Sequence, residues 1–247
     1  MNAMILKLIA MITMAVDHSG MIFLHNEPVY RFIGRIAFPL YAFMIAEGYA
    51  QTKKTGRTTQ YWLRLLLTAM IAELPYDMGL YAKVHDPAHA NTIFTMLIGL
   101  TMIILMGLTD NFFLKLLPIA PACYLANCLH TSYGYIGILV IAGYCLYVTY
   151  MMDKPWYIRL AWLSLMMILF GGYYIVHNAR SYDLSIILAS FRKRNWLQTG
   201  VLLTVPMILF YNGRKGPFPA WLKWTYRFFY PLHLAVIAAF RWLPVIM

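Results

Sequence analysis

The stretch MILKLIAMITMAVDHSGMIFL, residues 4–24, is long and apolar enough to cross a bilayer as one helix. Asp17 and His18 stand side by side within it. An ionisable residue inside a span costs about 2.5–3.5 kcal/mol on insertion scales, so it needs a partner, a water-filled cavity or a functional role. Lys7 precedes His18 by eleven positions. Three helical turns plus about 20° separate them, which places both side chains on one helix face, about 16 Å apart.

The whole chain has the composition of a polytopic membrane protein. Of its 247 residues, 62% are hydrophobic and 12% are charged, whereas a soluble domain is about half apolar and about a quarter charged. The net charge of +11 then fits basic loops that set topology and face anionic lipid, and does not indicate a nucleic-acid partner. We therefore predict an all-α helix bundle in the lipid bilayer, with a single domain over residues 1–247.

Apolar windows of about 20 residues predict about nine transmembrane helices. They cover residues 4–24, 33–51, 60–80, 91–109, 111–128, 133–151, 157–176, 197–211 and 222–246. The segment 182–191 is shorter and fits a re-entrant or interfacial piece, so the count is uncertain by one. The first segment is read as a retained span, because the Asp-His pair interrupts it and no small-residue cleavage site follows.

Basic loops predict the orientation in a bacterial cytoplasmic membrane. Placing the clearest basic loop, residues 53–57, inside puts the N-terminus in the cytoplasm. The turn at 212–216 then also falls inside, and the loops 25–32, 81–90 and 129–132 fall outside. Residues 192–194 (Arg-Lys-Arg) fall outside too, against the positive-inside rule, and the sequence does not resolve this conflict.

With this orientation, polar side chains from several spans are expected at similar depth near the outer face. They are Asp17, His18, Arg35, Glu73, Asp77, Asn91, Tyr133 and His233. Asp17 is expected to pair with a group on another helix, with Arg35 as the candidate. The structural alternatives are a neutral, hydrogen-bonded His18 and an Arg35 that extends to the membrane interface. Glu47, near the inner end of the second span, would pair with a basic loop residue or line a passage.

The sequence gives little reason to expect a metal. Glu73 and Asp77 share a helix face at i,i+4 spacing, but no metal-type partners follow them. His85, Asp86 and His89 lie together in a predicted outer loop; their spacing could suit a metal, but a solvated loop accounts for them better. The three cysteines lack metal-site spacing and are read as packing residues.

An ordered set of segments resembles the TraX family, membrane proteins named for the acetylation of conjugative pilin. The resemblance covers nearly the whole chain, and its segments are 7–18, 34–43, 73–77, 91–94, 131–134, 211–216 and 229–234. The family looks related to the wider transmembrane acyltransferases, which often carry a basic residue, ten intervening residues and a histidine on the first catalytic span. Lys7 and His18 match that spacing, with Lys where Arg is common.

The resemblance implies acetyl transfer from acetyl-CoA to an amine or hydroxyl of an envelope acceptor, either a pilin N-terminus or a surface glycan. His18 would act as general base or, alternatively, carry the acetyl group. Asp17, Arg35 and Asn91 would orient groups or stabilise the oxyanion. The basic inner residues would hold the phosphates of CoA, and these are Lys7, Lys53, Lys54 and Arg57. Secondary site candidates are Glu47, Glu73, Asp77, Tyr133 and His233.

Two other functions fit the same residues. A proton-coupled transporter could use Asp17, His18, Glu47 and Glu73 as a relay, although the inverted repeat of many transporters is not visible. A non-catalytic assembly factor for a surface appendage or polymer is the other alternative. It predicts that a folded His18→Ala protein keeps full function.

Overall fold

The computed structural model describes residues 1–23, 27–86, 88–180, 182–217 and 219–246. These residues form helices and loops, with one isolated parallel bridge between Ala90 and Thr131. The all-α prediction is therefore confirmed for this part of the chain. Leu24, which ends the predicted first span, and residues 25–26 of the following loop lie outside the described residues.

The helices follow one another with short connections. In chain order, the described residues form α1 (Ala3–Ile22), α2 (Pro28–Gly34), α3 (Ala37–Lys54), α4 (Thr58–Tyr76) with a π-helical turn (Asp77–Tyr81), α5 (Thr92–Met106), α6 (Phe112–Leu116), α7 (Ile119–Cys128), α8 (Gly134–Leu146) with a π-helical turn (Tyr147–Met151), α9 (Trp156–Ala179), α10 (Leu184–Lys193), a 3₁₀ helix (Asn195–Leu203), α11 (Thr204–Leu209) and α12 (Ala220–Ile246). The 3₁₀ helix and α11 occupy most of the predicted span 197–211.

Several of these helices have the length and composition of membrane spans. Among the described residues, Ala3–Ile22, Pro28–Lys54, Gly134–Met151 and Trp156–Ala179 are long and apolar enough to cross a bilayer. Thr92–Met106, Phe112–Cys128 and Asn195–Leu209 are apolar but shorter. These helices support an integral membrane protein, and the count of about nine spans stays a prediction.

The chain forms two compact units. The first contains Met1–Tyr41 and Tyr150–Phe218, and the second contains Ala42–Thr149 and Pro219–Met247. Each unit combines two stretches that are distant in sequence, and α3 begins in the first unit and ends in the second. The single domain over residues 1–247 stays a prediction.

Glycines bring the helices of the first unit close together. A Cβ on Gly20 would overlap the Tyr30 side chain, and a Cβ on Gly34 would overlap the Asp17 side chain. A Cβ on Gly200 of the 3₁₀ helix would likewise overlap the carbonyl of Phe32 in α2. In lipid, small residues at such positions let helices approach one another closely. As a result, α2 packs against both α1 and the 3₁₀ helix.

The second unit is built around α5, which packs against α4, α7 and α8. A Cβ on Gly99 of α5 would overlap Ile141 of α8. Phe43 of α3 makes edge-to-face contacts with Tyr144 and Tyr147, at centroid distances of 5.7 and 6.3 Å. At its C-terminal end, α12 reaches the π-helical turn after α4, where Arg241 donates to two of its carbonyl oxygens at 2.8 and 2.9 Å.

Candidate functional site

One uninterrupted helix, α1, carries Lys7, Asp17 and His18. The helix begins at Asn2, whose side-chain oxygen accepts a 3.0 Å hydrogen bond from the backbone N–H of Ile5. Lys7, Asp17 and His18 are all half-buried. Because the helix has no break between Lys7 and His18, their eleven-residue spacing corresponds to a rise of about 16 Å, as the sequence predicts.

Asp17 forms an ion pair across the interface between α1 and α2. Its Oδ1 lies 2.8 Å from Nη1 of Arg31, and the two side chains are only 18% and 17% exposed. The prediction of a partner on another helix is confirmed, but Arg35 is wrong as the direct partner. Residues 28–31 were expected in a loop; instead, Pro28 starts α2, which brings Arg31 onto a helical face that meets α1.

Arg35 lies one helical turn after Arg31 and directly follows α2. It is within electrostatic reach of the Asp17 carboxylate, and its Nε is buried without a hydrogen bond to any described residue. A buried guanidinium N–H without an acceptor is costly. Two arginines therefore interact with the single carboxylate of Asp17. The Nε of Arg35 is left able to bind an anion or a polarised carbonyl oxygen.

Asn91 and Glu73 join α4 to α5 in the second unit. Asn91 is fully buried and caps α5, its Oδ1 accepting from the N–H of Ile93 at 2.9 Å. Its side-chain amide donates to the carbonyl of Ala69 at 2.8 Å and to the Glu73 carboxylate. Its backbone N–H also donates to Glu73, at 3.2 Å. These bonds use the Asn91 amide for capping and for tying the two helices, and a catalytic role for Asn91 stays a prediction.

Two buried carboxylates, Asp77 and Asp86, fix the loop between the π-helical turn and α5. Asp77 is fully buried, and its Oδ2 accepts from the backbone N–H of Asp86 at 2.8 Å and lies 3.5 Å from Nδ1 of His85. Asp86 is buried too, with His89 at 3.0 Å and Lys83 at 3.2 Å. The hydrogen bond with His89, aided by Lys83 and a backbone N–H, lowers the pKa of Asp86 below its ordinary value of 3.8.

The expectation of a solvated loop is therefore wrong for Asp86, which the fold buries by pairing it with two neighbouring side chains. The side chains of His85 and His89 are 72% and 48% exposed. Across the described ranges, no group of three or more His, Cys, Asp or Glu residues has an arrangement that could hold a metal ion.

Three secondary candidates also lie in the second unit. His233 of α12 stacks on the ring of Phe229 at 4.7 Å, and its Nδ1 lies 2.8 Å from the carbonyl oxygen of the same residue. Since a carbonyl only accepts, Nδ1 carries the proton there. Tyr133 directly precedes α8. Glu47 accepts a 3.2 Å hydrogen bond from the side chain of Gln51.

The predicted phosphate-binding residues divide between the units. Lys7 belongs to the first unit and the basic loop 53–57 to the second. Lys53 donates a 3.0 Å hydrogen bond to the carbonyl of Gly107, the residue directly after α5, which is a structural use of its charge. Lys54 and Arg57 are exposed. The catalytic candidates divide likewise, with Asp17, His18 and Arg35 in the first unit and Asn91 in the second.

The family of this chain follows from a comparison with known protein families. The family model described as TraX protein matches residues 2–241. The chain belongs to the TraX family. The resemblance expected from the sequence is thereby confirmed, and the match includes every predicted site residue from Lys7 to His233.

Among curated proteins, the TraX chain is similar to the "Probable fimbrial assembly protein FimC, serogroup H1" of Dichelobacter nodosus. The two are 27% identical over 251 residues, which cover 96% of this chain and 95% of the relative. No solved structure matches the chain.

Arg31 is the residue of the candidate site that the sequence did not predict in this TraX chain. The available signal was the pair of arginines at 31 and 35, since i,i+4 spacing puts two side chains on one helix face. The apolar window for the second span began at residue 33 and left Arg31 in a loop. The short helix α2 places it beside Asp17 instead.

Proposed function

We propose that this TraX chain is a membrane-embedded acetyltransferase that moves an acetyl group from acetyl-CoA to an amine or hydroxyl of an envelope acceptor. The observation that carries the proposal is Arg35. Its Nε is buried without a hydrogen-bonding partner among the described residues, beside the ion pair of Asp17, the residue next to His18. A fixed cation of this kind, beside the carboxylate that directly precedes a histidine, suits a reaction that builds negative charge on a carbonyl oxygen.

In the proposed reaction, His18 is the general base, because imidazole accepts and returns protons near neutral pH. The acceptor nitrogen or oxygen attacks the thioester carbonyl while His18 takes its proton. The carbonyl oxygen becomes an oxyanion facing Arg35. The C–S bond then breaks, the CoA sulfur leaves with its electron pair, and it receives the proton from His18. The products are the acetylated acceptor and CoA.

Asp17 and Arg31 act as positioning residues in this proposal. The Asp17 carboxylate pairs with Arg31 at 2.8 Å, and Arg35 lies within electrostatic reach of the same carboxylate. One carboxylate therefore holds two guanidinium groups near each other and leaves one net positive charge. The roles of Asn91 and of the secondary candidates in the second unit stay predictions.

The name of the relative from Dichelobacter nodosus favours a pilin or fimbrial subunit as the acceptor, and a surface glycan is the alternative. The same name favours a second candidate function, a non-catalytic factor for fimbrial assembly. Such a factor would not depend on the proton-transfer chemistry of His18.

The test is release of free CoA thiol from acetyl-CoA by the detergent-purified full chain, with and without an envelope extract that contains pilin and surface glycan. We expect release that depends on the extract, and at least about a hundredfold loss in His18→Ala, the usual contribution of a general base. His177→Ala is the matched control, because His177 is an exposed histidine on α9 of the same unit.

Loss in His18→Ala together with normal activity in His177→Ala supports the acetyltransferase. If the folded wild-type protein neither releases thiol nor acetylates any acceptor, the enzyme proposal is wrong. In that case, His18→Ala would also leave fimbrial assembly intact in cells, as expected for the assembly factor.

A further inference from the structure

The N-terminus of α1 is docked onto the loop 211–216. The backbone N–H groups of Ala3 and Met4 donate to the carbonyls of Arg214 and Lys215, at 2.9 and 3.2 Å. The N–H of Asn212 donates to the carbonyl of Met1 at 2.9 Å. The first N–H groups of a helix have no partner within that helix. Here the carbonyl groups of the loop are the acceptors for two of these N–H groups. The backbone of the loop is therefore fixed to the start of the helix that carries His18.

The conformation of this loop is set by its glycines. Gly213 and Gly216 have φ angles of +70° and +77°, a backbone conformation that residues other than glycine rarely adopt. A Cβ on Gly216 would lie 2.7 Å from the side chain of Asn2. The loop thus turns its carbonyl groups towards α1, while Arg214 and Lys215 have exposed side chains.

Positive charge accumulates at this end of the first unit. Lys7 lies one helical turn after Ala3, and Cα–Cβ bonds tilt towards the helix N-terminus, so the Lys7 side chain leans towards the docked loop. Arg159 joins the same end through a 2.9 Å hydrogen bond to the carbonyl of Leu209. The acids among the described residues of this unit are Asp17, Glu27, Asp153 and Asp183. Asp17 lies in the second half of α1, Glu27 directly precedes α2 and Asp183 directly precedes α10, whereas Asp153 comes shortly before α9, the helix that carries Arg159 near its start.

We propose that Arg214 and Lys215, together with Lys7, bind the diphosphate of acyl-CoA; this inference rests on the acetyltransferase function proposed above. The charge-assisted contacts of Arg and Lys suit phosphate oxygens. Lys7 and His18 are separated by about 16 Å along α1, a length comparable to that of an extended pantetheine arm. A diphosphate held at the level of Lys7, one helical turn from the residues of α1 that contact the loop, would let the thioester lie at His18, with α1 setting the distance.

In this proposal Arg214, Lys215 and Lys7 are the main phosphate contacts, whereas a phosphate-binding role of Lys53, Lys54 and Arg57 stays a prediction. Lys53 already donates a hydrogen bond to the carbonyl of Gly107, the residue directly after α5, and all three residues belong to the second unit. Arg214 and Lys215, in contrast, are attached through their own backbone to the helix that carries His18. The basic loop 53–57 then serves to set the orientation in the membrane.

The test measures equilibrium binding of acetyl-CoA and of S-acetylpantetheine, which lacks all phosphates, to the purified full chain. We expect the double variant Arg214→Gln/Lys215→Gln to raise the Kd for acetyl-CoA at least about tenfold and to leave the Kd for S-acetylpantetheine unchanged. The matched control is Arg192→Gln/Lys193→Gln, an exposed Arg-Lys pair elsewhere in the same unit. The variant Lys54→Gln/Arg57→Gln tests the competing site. Neither of these two should change either Kd.

Several outcomes would overturn the assignment. One is a loss of acetyl-CoA binding in Lys54→Gln/Arg57→Gln but not in Arg214→Gln/Lys215→Gln. Another is an equal loss for both ligands, because a contact with the diphosphate cannot weaken binding of a ligand that has no phosphate. A third is seen in nanodiscs that contain phosphatidylglycerol. If Arg214→Gln/Lys215→Gln loses bound anionic lipid there while its Kd for acetyl-CoA stays normal, the loop binds lipid head groups and not acyl-CoA.

The same data separate this inference from the enzymatic proposal. Phosphate-dependent binding that requires Arg214 and Lys215, in a wild-type chain that transfers no acetyl group, supports the site and contradicts the acetyltransferase. Normal binding and transfer in the loop variant contradicts the site alone. A folded wild-type chain that does not bind acetyl-CoA contradicts both.

Discussion

Asp17 lies among more positive charge than it can neutralise. Arg31 contacts its carboxylate directly, and Arg35 lies within electrostatic reach. The Nε of Arg35 is buried without a hydrogen bond to any described residue, so an anion, a carbonyl oxygen or water that approached it would stabilise its charge. The cluster is therefore better suited to binding a ligand than to holding two helices together, for which a single ion pair would be enough.

Asp17→Asn should destabilise the chain by about 1–3 kcal/mol, because it leaves the largely buried guanidinium of Arg31 without its counter-charge. Arg31→Gln should cost a similar amount. The double variant should cost less than the sum of the two, since neither charge is then left alone. Thermal unfolding of the purified protein measures this. Strictly additive losses would show that the ion pair contributes nothing to stability.

The sequence predicted features of the candidate site only where they depend on neighbouring residues in one helix. The spacing of Lys7 and His18 was readable because α1 is continuous. The sequence also placed Asn91 correctly at the start of a helix, a usual capping residue. Its bonds to Ala69 and Glu73 were not predictable, because they depend on how α4 and α5 pack. Arg31 was missed because apolar windows do not detect a short helix.

At the scale of elements, α1 and α2 meet through glycine. A Cβ on Gly34 would overlap the Asp17 side chain, including its Cβ, which cannot move without the helix. Gly34→Ala should therefore separate α1 from α2 and cost about 1–3 kcal/mol of stability. It should also lower acetyl transfer, because Arg31 and Arg35 move with α2. Thermal unfolding and the thiol-release assay measure the two effects.

Gly172 provides the matched control for Gly34. It lies in α9 of the same unit, and a Cβ there would have no atom within 4 Å. Gly172→Ala should be neutral or stabilise by about 0.5–1 kcal/mol, because alanine favours a helix interior over glycine. If Gly34→Ala unfolds no earlier than Gly172→Ala, close packing of α1 on α2 is not required.

Element boundaries followed the sequence best where a helix is continuous and apolar. The spans 4–24 and 157–176 match α1 and α9 closely. The segment 197–211 was recognisably short, but its 3₁₀ conformation was not foreseen. The same applies to the π-helical turns after α4 and α8. Such departures depend on tertiary contacts, as at Gly200 against α2, and no local pattern encodes them.

At the scale of the whole molecule, the division into two units could not be read from the sequence. The boundary falls within α3, after Tyr41, where neither composition nor charge changes. Long-range contacts define it: residues 1–41 pack with 150–218, so the first 41 residues share a unit with a stretch from the second half of the chain. The docking of Met1–Met4 onto 210–215 is one such contact.

That docking makes the membrane orientation testable at several positions. The N-terminus and Lys215 share one side of the first unit through backbone hydrogen bonds. Arg192 lies towards the opposite end, because Asn195 donates to the carbonyl of Ile175 late in α9, whereas Arg159 at its start binds Leu209. With the basic loop at Lys54 inside, Lys215 should also be inside and Arg192 outside.

Single cysteines test this in a chain whose three native cysteines are replaced by serine. We expect a membrane-impermeant maleimide to label Arg192→Cys on intact cells, and to label Lys54→Cys and Lys215→Cys only after permeabilisation. The cysteine-free chain should show no labelling. Labelling of Lys54→Cys on intact cells would reverse the orientation. Equal accessibility of Arg192→Cys and Lys215→Cys would mean that residues 195–209 do not cross the bilayer, and the basic segment 192–194 would then no longer conflict with the positive-inside rule.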